Sequence, residues 1–200
     1  MAAVIPNPKT TKGFRTSAAF ETWLARNHDR QSELWLRIYK KDSGVASVNY
    51  AQALEVALCW GWIDGIRKSF DDQSFLQRFT PRKPKSIWSQ NNREHVARLI
   101  AAGRMTPHGV RHVEAAKADG RWDAAYAGAR SMTIPDDLRV AIEQNARAHA
   151  AFKKLDKANL YALAFRLGNL KTEAARAKKI VSFVAMLARG ETLHTVKSKK

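Results

Sequence analysis

The sequence predicts an α+β fold: a small antiparallel β-sheet packed with helices, followed by a C-terminal all-helical region. Three observations carry this. Residues 34–40 alternate, with Leu34, Leu36 and Ile38 on one side and Trp35 and Tyr39 on the other, the period of a strand. Residues 62–70 and 74–80 are rich in aromatic and β-branched side chains and are separated by Asp71, Asp72 and Gln73, which is hairpin chemistry. From Asn91 onward the apolar spacing is helical, punctuated by caps and glycines.

The elements follow in order. Ser17 caps a helix whose Phe20, Trp23 and Leu24 share a buried face. After the first strand, Asn49 with Gln52 three residues on forms a capping box that opens a helix through Ala53, Leu54, Ala57 and Leu58, stopped by Gly61. The hairpin comes next, then a loop marked by Pro81 and Pro84. Helices are predicted over residues 91–102, ended by Gly103, and 107–118, ended by Gly120. Thr106 followed by Pro107 is a strong helix start, because proline at the first helical position sacrifices no needed N–H bond. Residues 126–134 read as a connector to helices over 135–146, 157–167 and 173–189, with Asp156 and Thr172 as caps and Gly168 and Gly190 as stops. In the last helix Ala177, Ile180, Val184 and Leu187 form one stripe, which core packing explains better than membrane-surface binding.

Composition narrows the function classes. The chain has 200 residues, 45% of them hydrophobic, enough for one main domain and a helical annex. Its 35 Lys and Arg against 18 Asp and Glu give a formal charge of +17, which attracts polyanions: nucleic acid, anionic lipid or phosphorylated metabolites. The excess is uneven, ten bases to three acids over residues 78–121 and fourteen to four over 139–200, against five to six over 31–77. Cys59 is the only cysteine, which excludes an intramolecular disulfide and a cysteine zinc cluster, and its apolar neighbours make it a small core residue. The first ten residues contain Pro6 and Pro8 but no apolar core of ~7 to 15 residues, so a secretory signal is not expected. No stretch approaches the ~20 apolar residues of a membrane span, and the expected location is cytoplasmic.

Two constellations carry the chemistry. In Cys59-Trp60-Gly61-Trp62-Ile63-Asp64-Gly65 the glycines permit a tight helix-to-strand turn that fixes Trp62 and Asp64. Asp64 then serves either as a site carboxylate, the one candidate for acid or base catalysis, or as a structural acceptor for turn N–H groups. In residues 78–92 two prolines stiffen a basic loop: Arg78, Arg82, Lys83 and Lys85 supply charge, while Ser86, Ser89, Asn91 and Asn92 supply neutral hydrogen bonds beside a helix start. Such a helix start beside arginine suits an anion, the alternative being a surface loop whose arginines merely pair with Asp64, Asp71 or Asp72, and Trp88 adds either a stacking surface or a core anchor. The expected ligand site is Trp62, Asp64, Arg78, Arg82, Ser86, Trp88, Ser89 and Asn92. His108 and His112 stand one helical turn apart as in a zinc helix, but Gly109 occupies the place of the catalytic glutamate and a third ligand, such as His95, would have to come from elsewhere. Neither a metal nor a cofactor is expected.

The phrases Ala53-Leu54 through Asp64-Gly65, Arg78-Phe79-Thr80-Pro81-Arg82 with Ser86-Ile87-Trp88-Ser89 and Asn92, and Gly103-Arg104-Met105-Thr106-Pro107 with Gly109 resemble the YdeI/OmpD-associated, or bacteriocin-protection, family. The stretch from Phe152 through Thr172-Glu173-Ala174-Ala175-Arg176 and Lys179-Ile180 to Arg189-Gly190 is similar to that family's C-terminal helical region. The resemblance implies protection against bacteriocins or cationic antimicrobial peptides and association with an outer-membrane porin, and brings no catalytic residue. The organisation expected is an α+β domain over residues 1–126, a helical OmdA-like region over 127–190 and a disordered basic tail over 191–200. The expected function is non-enzymatic, with an anionic small molecule or a protein as partner. The alternatives are a nucleic-acid binder and an enzyme using Asp64 on an anionic substrate.

Overall fold

The computed structural model describes residues 5–128, 132–170 and 172–195. The chain divides into two compact units, Met1–Ala125 and Tyr126–Lys200. The fold class is α+β: a four-stranded sheet lies among the described residues of the first unit, and the described regular structure of the second is helical.

The first unit contains β1 (Thr11–Gly13), α1 (Ser17–Asn27), β2 (Leu34–Tyr39), α2 (Tyr50–Cys59), β3 (Trp62–Ser69), β4 (Ser74–Pro81), α3 (Gln90–Ala101) and α4 (Pro107–Ala118). The sheet order is β1-β2-β4-β3. β2 and β3 both run antiparallel to β4, as expected, whereas β1 pairs parallel with β2. β1 was not anticipated, because Thr-Lys-Gly is too short to show alternation. The cap of α1 is also one residue earlier than expected: the hydroxyl of Thr16, not Ser17, accepts from the Ala19 N–H at 3.2 Å. The capping box of α2 is present in both directions.

Leu34, Leu36 and Ile38 enter one core with Phe75 and Phe79 of β4, Trp62 of β3, Phe20 and Leu24 of α1, and Ala53, Val56 and Ala57 of α2. β3 and β4 change register between Asp64 and Arg67. The buried Gln77 amide fills this irregularity by donating to the Gly65 carbonyl at 3.0 Å, so the bulge leaves that carbonyl satisfied. At the hairpin tip the Asp71 carboxylate accepts from Ser74 Oγ at 2.7 Å, from the Gln73 N–H at 3.0 Å and from Arg37 at 2.6 Å. These contacts, the Ser74 hydroxyl foremost, hold the Asp71 carboxyl below its ordinary range.

α2 stops at Gly61, whose φ of 71° is open to glycine at little cost. α4 begins against that stop. The Thr106 N–H and hydroxyl donate to the Cys59 carbonyl at 3.2 and 2.6 Å. Three residues on, a methyl group at Gly109 would lie 2.3 Å from the Cys59 oxygen and 2.8 Å from the Leu58 oxygen, so the two backbones meet with no side chain between them. A second core forms around this contact from Leu54, Leu58 and Cys59 of α2, Trp88 of the loop before α3, Val96 and Leu99 of α3, and Val113 and Ala116 of α4. Burial pushes the Cys59 thiol up to about 11, which fits an inert core residue rather than a nucleophile.

The second unit holds α5 (Asp136–Glu143), α6 (Ala146–Phe152), α7 (Lys157–Gly168) and α8 (Glu173–Ala188). One helix was expected over residues 135–146; the chain instead ends α5 and opens α6 at Asn145, whose side chain accepts from the Ala148 N–H at 3.0 Å. Gly168 closes α7 from inside and Asn169 is its C-cap. Of the stripe expected on α8, Leu187 is buried with Phe183, Ile180 and Val184 are half-buried, and Ala177 is exposed, so the buried line runs through Phe183. Arg176 joins α8 to α5 through Asp137, with one hydrogen bond at 2.9 Å. Beyond α8, the His194 N–H and carbonyl bond the Oδ1 and Nδ2 of Asn159, at 2.9 and 3.0 Å. Residues 129–131, in the expected connector, and 196–200, in the expected tail, lie outside the described residues.

Gly109→Ala should lower unfolding free energy by about 1–3 kcal/mol, since the added methyl must push α4 off two backbone carbonyls; chemical denaturation measures it, and an unchanged midpoint would refute the close contact. Asn159→Ala should cost about 1–3 kcal/mol and speed hydrogen exchange at His194, because its buried amide holds both main-chain groups of that residue.

Candidate functional site

The junction of α2 and α4 opens on one side into a cleft of 570 Å³. Five elements bring residues to it, each for a local reason. His28 is the C-cap of α1, and its Nδ1 lies 3.1 Å from the Leu24 carbonyl, so that nitrogen carries the hydrogen and Nε2 keeps the lone pair when the ring is neutral. Asp29 follows it. Trp60 is the C-cap of α2, and Gly61 and Trp62 lead the wall into β3, across from Pro81 at the end of β4. α4 supplies His108, Arg111 and His112, three positions that recur on one helical face.

The rings are in mutual contact. His28 and His108 have centroids 4.0 Å apart, Trp60 stacks on His108 at 5.8 Å with an interplanar angle of 15°, and His28 lies 5.0 Å from Trp60. His112 packs behind Gly61, where a methyl would come within 2.6 Å of its Cδ2. Both imidazoles of α4 have lowered pKa values. For His108 the causes are desolvation first, then the charges of His28 and Arg111, opposed by Asp29; for His112 they are desolvation, then Arg82, Arg111 and Arg121. Near neutral pH the two are therefore uncharged, and Arg111 is the permanent cation of the lining, with Asp29 as its acid.

The residues singled out in the sequence are distributed around this cleft rather than gathered in it. Trp62 forms part of the wall but is itself core: its ring is buried, meets Trp23 edge-on at 5.9 Å, and its indole N–H donates to the His28 carbonyl at 3.1 Å. Asp64 turns away to α2, where its Oδ2 accepts from the Tyr50 hydroxyl at 2.8 Å. Arg78 pairs with Glu33 at 2.8 Å on β4. The Arg82 N–H donates to the Gly61 carbonyl at 2.9 Å, which joins the glycine turn to the basic loop. The Arg82 side chain is 5% exposed and lies 3.4 Å over the Trp88 ring. Trp88 is also buried and meets Trp122 edge-on at 4.9 Å. Ser86 Oγ accepts from the Lys83 N–H at 3.0 Å, and its carbonyl accepts from Arg121 at 2.8 Å. Ser89 caps α3 by accepting from the Asn92 N–H at 3.1 Å, and both residues are buried.

His28, Asp29 and Arg111 were not singled out from sequence. The i, i+4 spacing of His108 and His112 was the one legible signal, and the third imidazole beside them is His28, not His95, which sits against Arg98 and Glu55 at 3.0 and 3.7 Å. Among the described residues no group of three or more His, Cys, Asp or Glu is arranged to hold a metal ion, and no helix is long and apolar enough to cross a membrane.

Two family models match the chain: one described as a domain of unknown function (DUF8412), over residues 12–112, and one described as bacteriocin-protection, YdeI or OmpD-associated, over residues 131–190. A stretch of 64 residues, 30% of the chain, is 38% identical to the tRNA 5-methylaminomethyl-2-thiouridine biosynthesis bifunctional protein MnmC of Campylobacter concisus (strain 13826). That stretch is 10% of the relative's length. No solved structure matches. The motifs from Ala53 to Gly109 fall within the first match and those from Phe152 to Gly190 within the second. The chain therefore belongs to the DUF8412 family through its N-terminal half, and its residues 131–190 match the model described as bacteriocin-protection, YdeI or OmpD-associated.

Proposed function

We propose that this is a non-enzymatic, cytoplasmic stress-protection protein that holds an anionic small molecule in the cleft between the Trp60–Trp62 turn and α4. The observation that carries the reading is the convergence of His28, His108, Arg111 and His112 on one concavity walled by Trp60 and Pro81. A guanidinium is a permanent anchor for a carboxylate or phosphate, and imidazole N–H groups add directional donors beside it. The apolar wall suits an organic body attached to the anionic group, since small-molecule sites pair apolar walls with few convergent polar groups. The role in bacteriocin protection is taken from the description of the family that matches residues 131–190.

Asp64 has a different part in this reading. Its carboxylate is engaged by Tyr50, an arrangement that ties β3 to the first residue of α2, and it is a structural acceptor rather than an acid or base.

A second reading, nucleic-acid binding, is favoured by the charge of +17 and by a relative whose name places it in tRNA modification. Salt separates the two. A phosphate-backbone binder loses affinity with a log–log slope near ~0.9 per neutralised phosphate on B-DNA, whereas a single-anion pocket is far less sensitive.

Arg111→Ala should weaken binding of small organic phosphates and carboxylates at least about tenfold in calorimetric titration while leaving the melting temperature nearly unchanged, because Arg111 lies at the cleft rim on an otherwise intact helix. Binding that survives the change at full strength would place the anion elsewhere. Asp64→Asn should leave the same affinity within about twofold and cost roughly 0.5–1.5 kcal/mol of stability through the Tyr50 hydrogen bond; loss of a ligand-dependent turnover instead would restore the catalytic alternative.

A further inference from the structure

We propose that the cleft takes up an oxyanion of the sulfate or phosphate-monoester class together with protons, so that His108 and His112 make ligand capture stronger as pH falls. The inference rests on the reading of this cleft as an anion site and adds what chemical group it takes and what regulates it. The basis is the arrangement of charge. His108 and His112 flank Arg111 on the same face of α4, directly across from the Trp60–Trp62 turn. The groups facing His108 are His28 from α1, Arg111 from its own helix and Asp29 from the loop after α1. Those facing His112 are Arg82 from the basic loop, Arg111 again, and Arg121 after α4. One acid thus stands against six basic or titratable groups, and each proton added to an empty cleft meets like charge.

An oxyanion between these groups reverses the balance. Two negative charges beside Arg111 turn the repulsion felt by each imidazole into attraction, so protonation and anion binding favour one another, and by linkage the affinity must rise wherever binding takes up protons. His28 adds a third imidazole to the set from the C-cap of α1, its Nδ1 held at the Leu24 carbonyl. A group with three or four oxygens suits this set, because polar side chains reach it from the C-cap of α1 and from two successive turns of α4. A carboxylate has too few oxygens to engage all of them.

The empty protein behaves in the opposite sense. Both α4 imidazoles have folded pKa values below their ordinary range, so the stability associated with their neutral forms is present above that range and is lost as pH falls below it.

Sulfate is the probe, because it keeps its two charges across the range in which imidazole titrates. The test is calorimetric titration of the full chain with sulfate at about pH 7.5 and about pH 5.5, at constant ionic strength in chloride, each in two buffers of different ionisation enthalpy. The expected result is roughly tenfold tighter binding at the lower pH with net proton uptake, and a melting temperature that falls on acidification without sulfate but is restored by it. His108→Gln, at a half-buried position on the cleft wall, and His112→Gln should each remove part of the uptake, and a melting temperature of the first close to that of the parent keeps the test valid even if the second disturbs packing at Gly61. Equal affinity at both pH values with no proton uptake, or uptake that survives both substitutions, overturns the proton coupling and leaves the anion cleft standing. Absence of sulfate binding at either pH, with organic phosphates also failing, overturns the cleft itself.

Discussion

α4 starts where α2 ends, and the contact leaves no room for a side chain: the Cys59 carbonyl receives both the N–H and the hydroxyl of Thr106, and Gly109 passes close enough that a methyl group would overlap two carbonyl oxygens. The geometry also suits the charges, since the partial negative end of one helix faces the partial positive end of the other. From this contact the direction of α4 is determined, and with it the positions of His108, Arg111 and His112 relative to the Trp60–Trp62 turn. Gly61 completes the arrangement from the other side, with its left-handed backbone, its carbonyl bonded to Arg82 and its open face occupied by His112. The cleft is therefore a consequence of two glycines that bring main chain against main chain and against imidazole.

The basic loop has a different purpose from the one its composition suggests. A run of Arg, Lys and Ser before a helix looks like a surface for anions, yet its centre is inward. Arg82 lies over Trp88, Trp88 packs on Trp122, and Arg121 reaches back to the Ser86 carbonyl. The guanidinium of Arg82 contributes to the cleft through its field at His112 rather than through an open approach. A buried cation over an aromatic ring is worth more than an exposed one, so this stack stabilises the loop while raising the positive potential behind α4.

In the second unit, polar side chains supplement the apolar core, one of them, Asn159, itself buried. Asn159 binds both main-chain groups of His194, and Arg176 joins the N-terminal turn of α8 to Asp137. The apolar line of α8 is narrower than a helical wheel implies: Phe183 and Leu187 are buried, whereas Val181 is 70% exposed.

The sequence by itself determined the fold class, the strand alternation of Leu34, Leu36 and Ile38, the caps Asn49, Thr106, Asp156 and Thr172, and the hairpin at Asp71, because each rests on residues within a few positions of one another. It also marked the Gly61 turn and the i, i+4 histidines. Tertiary structure alone decided that His28, eighty positions before His108, stands 4.0 Å from it, that Arg111 shares their cleft, and that Asp64 faces Tyr50 while Arg82 is buried. The reason is physical. Caps, turns and strand periods are local energies readable in a short window, but a cleft is made by the close approach of elements distant in sequence. That approach depends here on the missing side chain of Gly109, whose absence leaves no periodic signal in the chain.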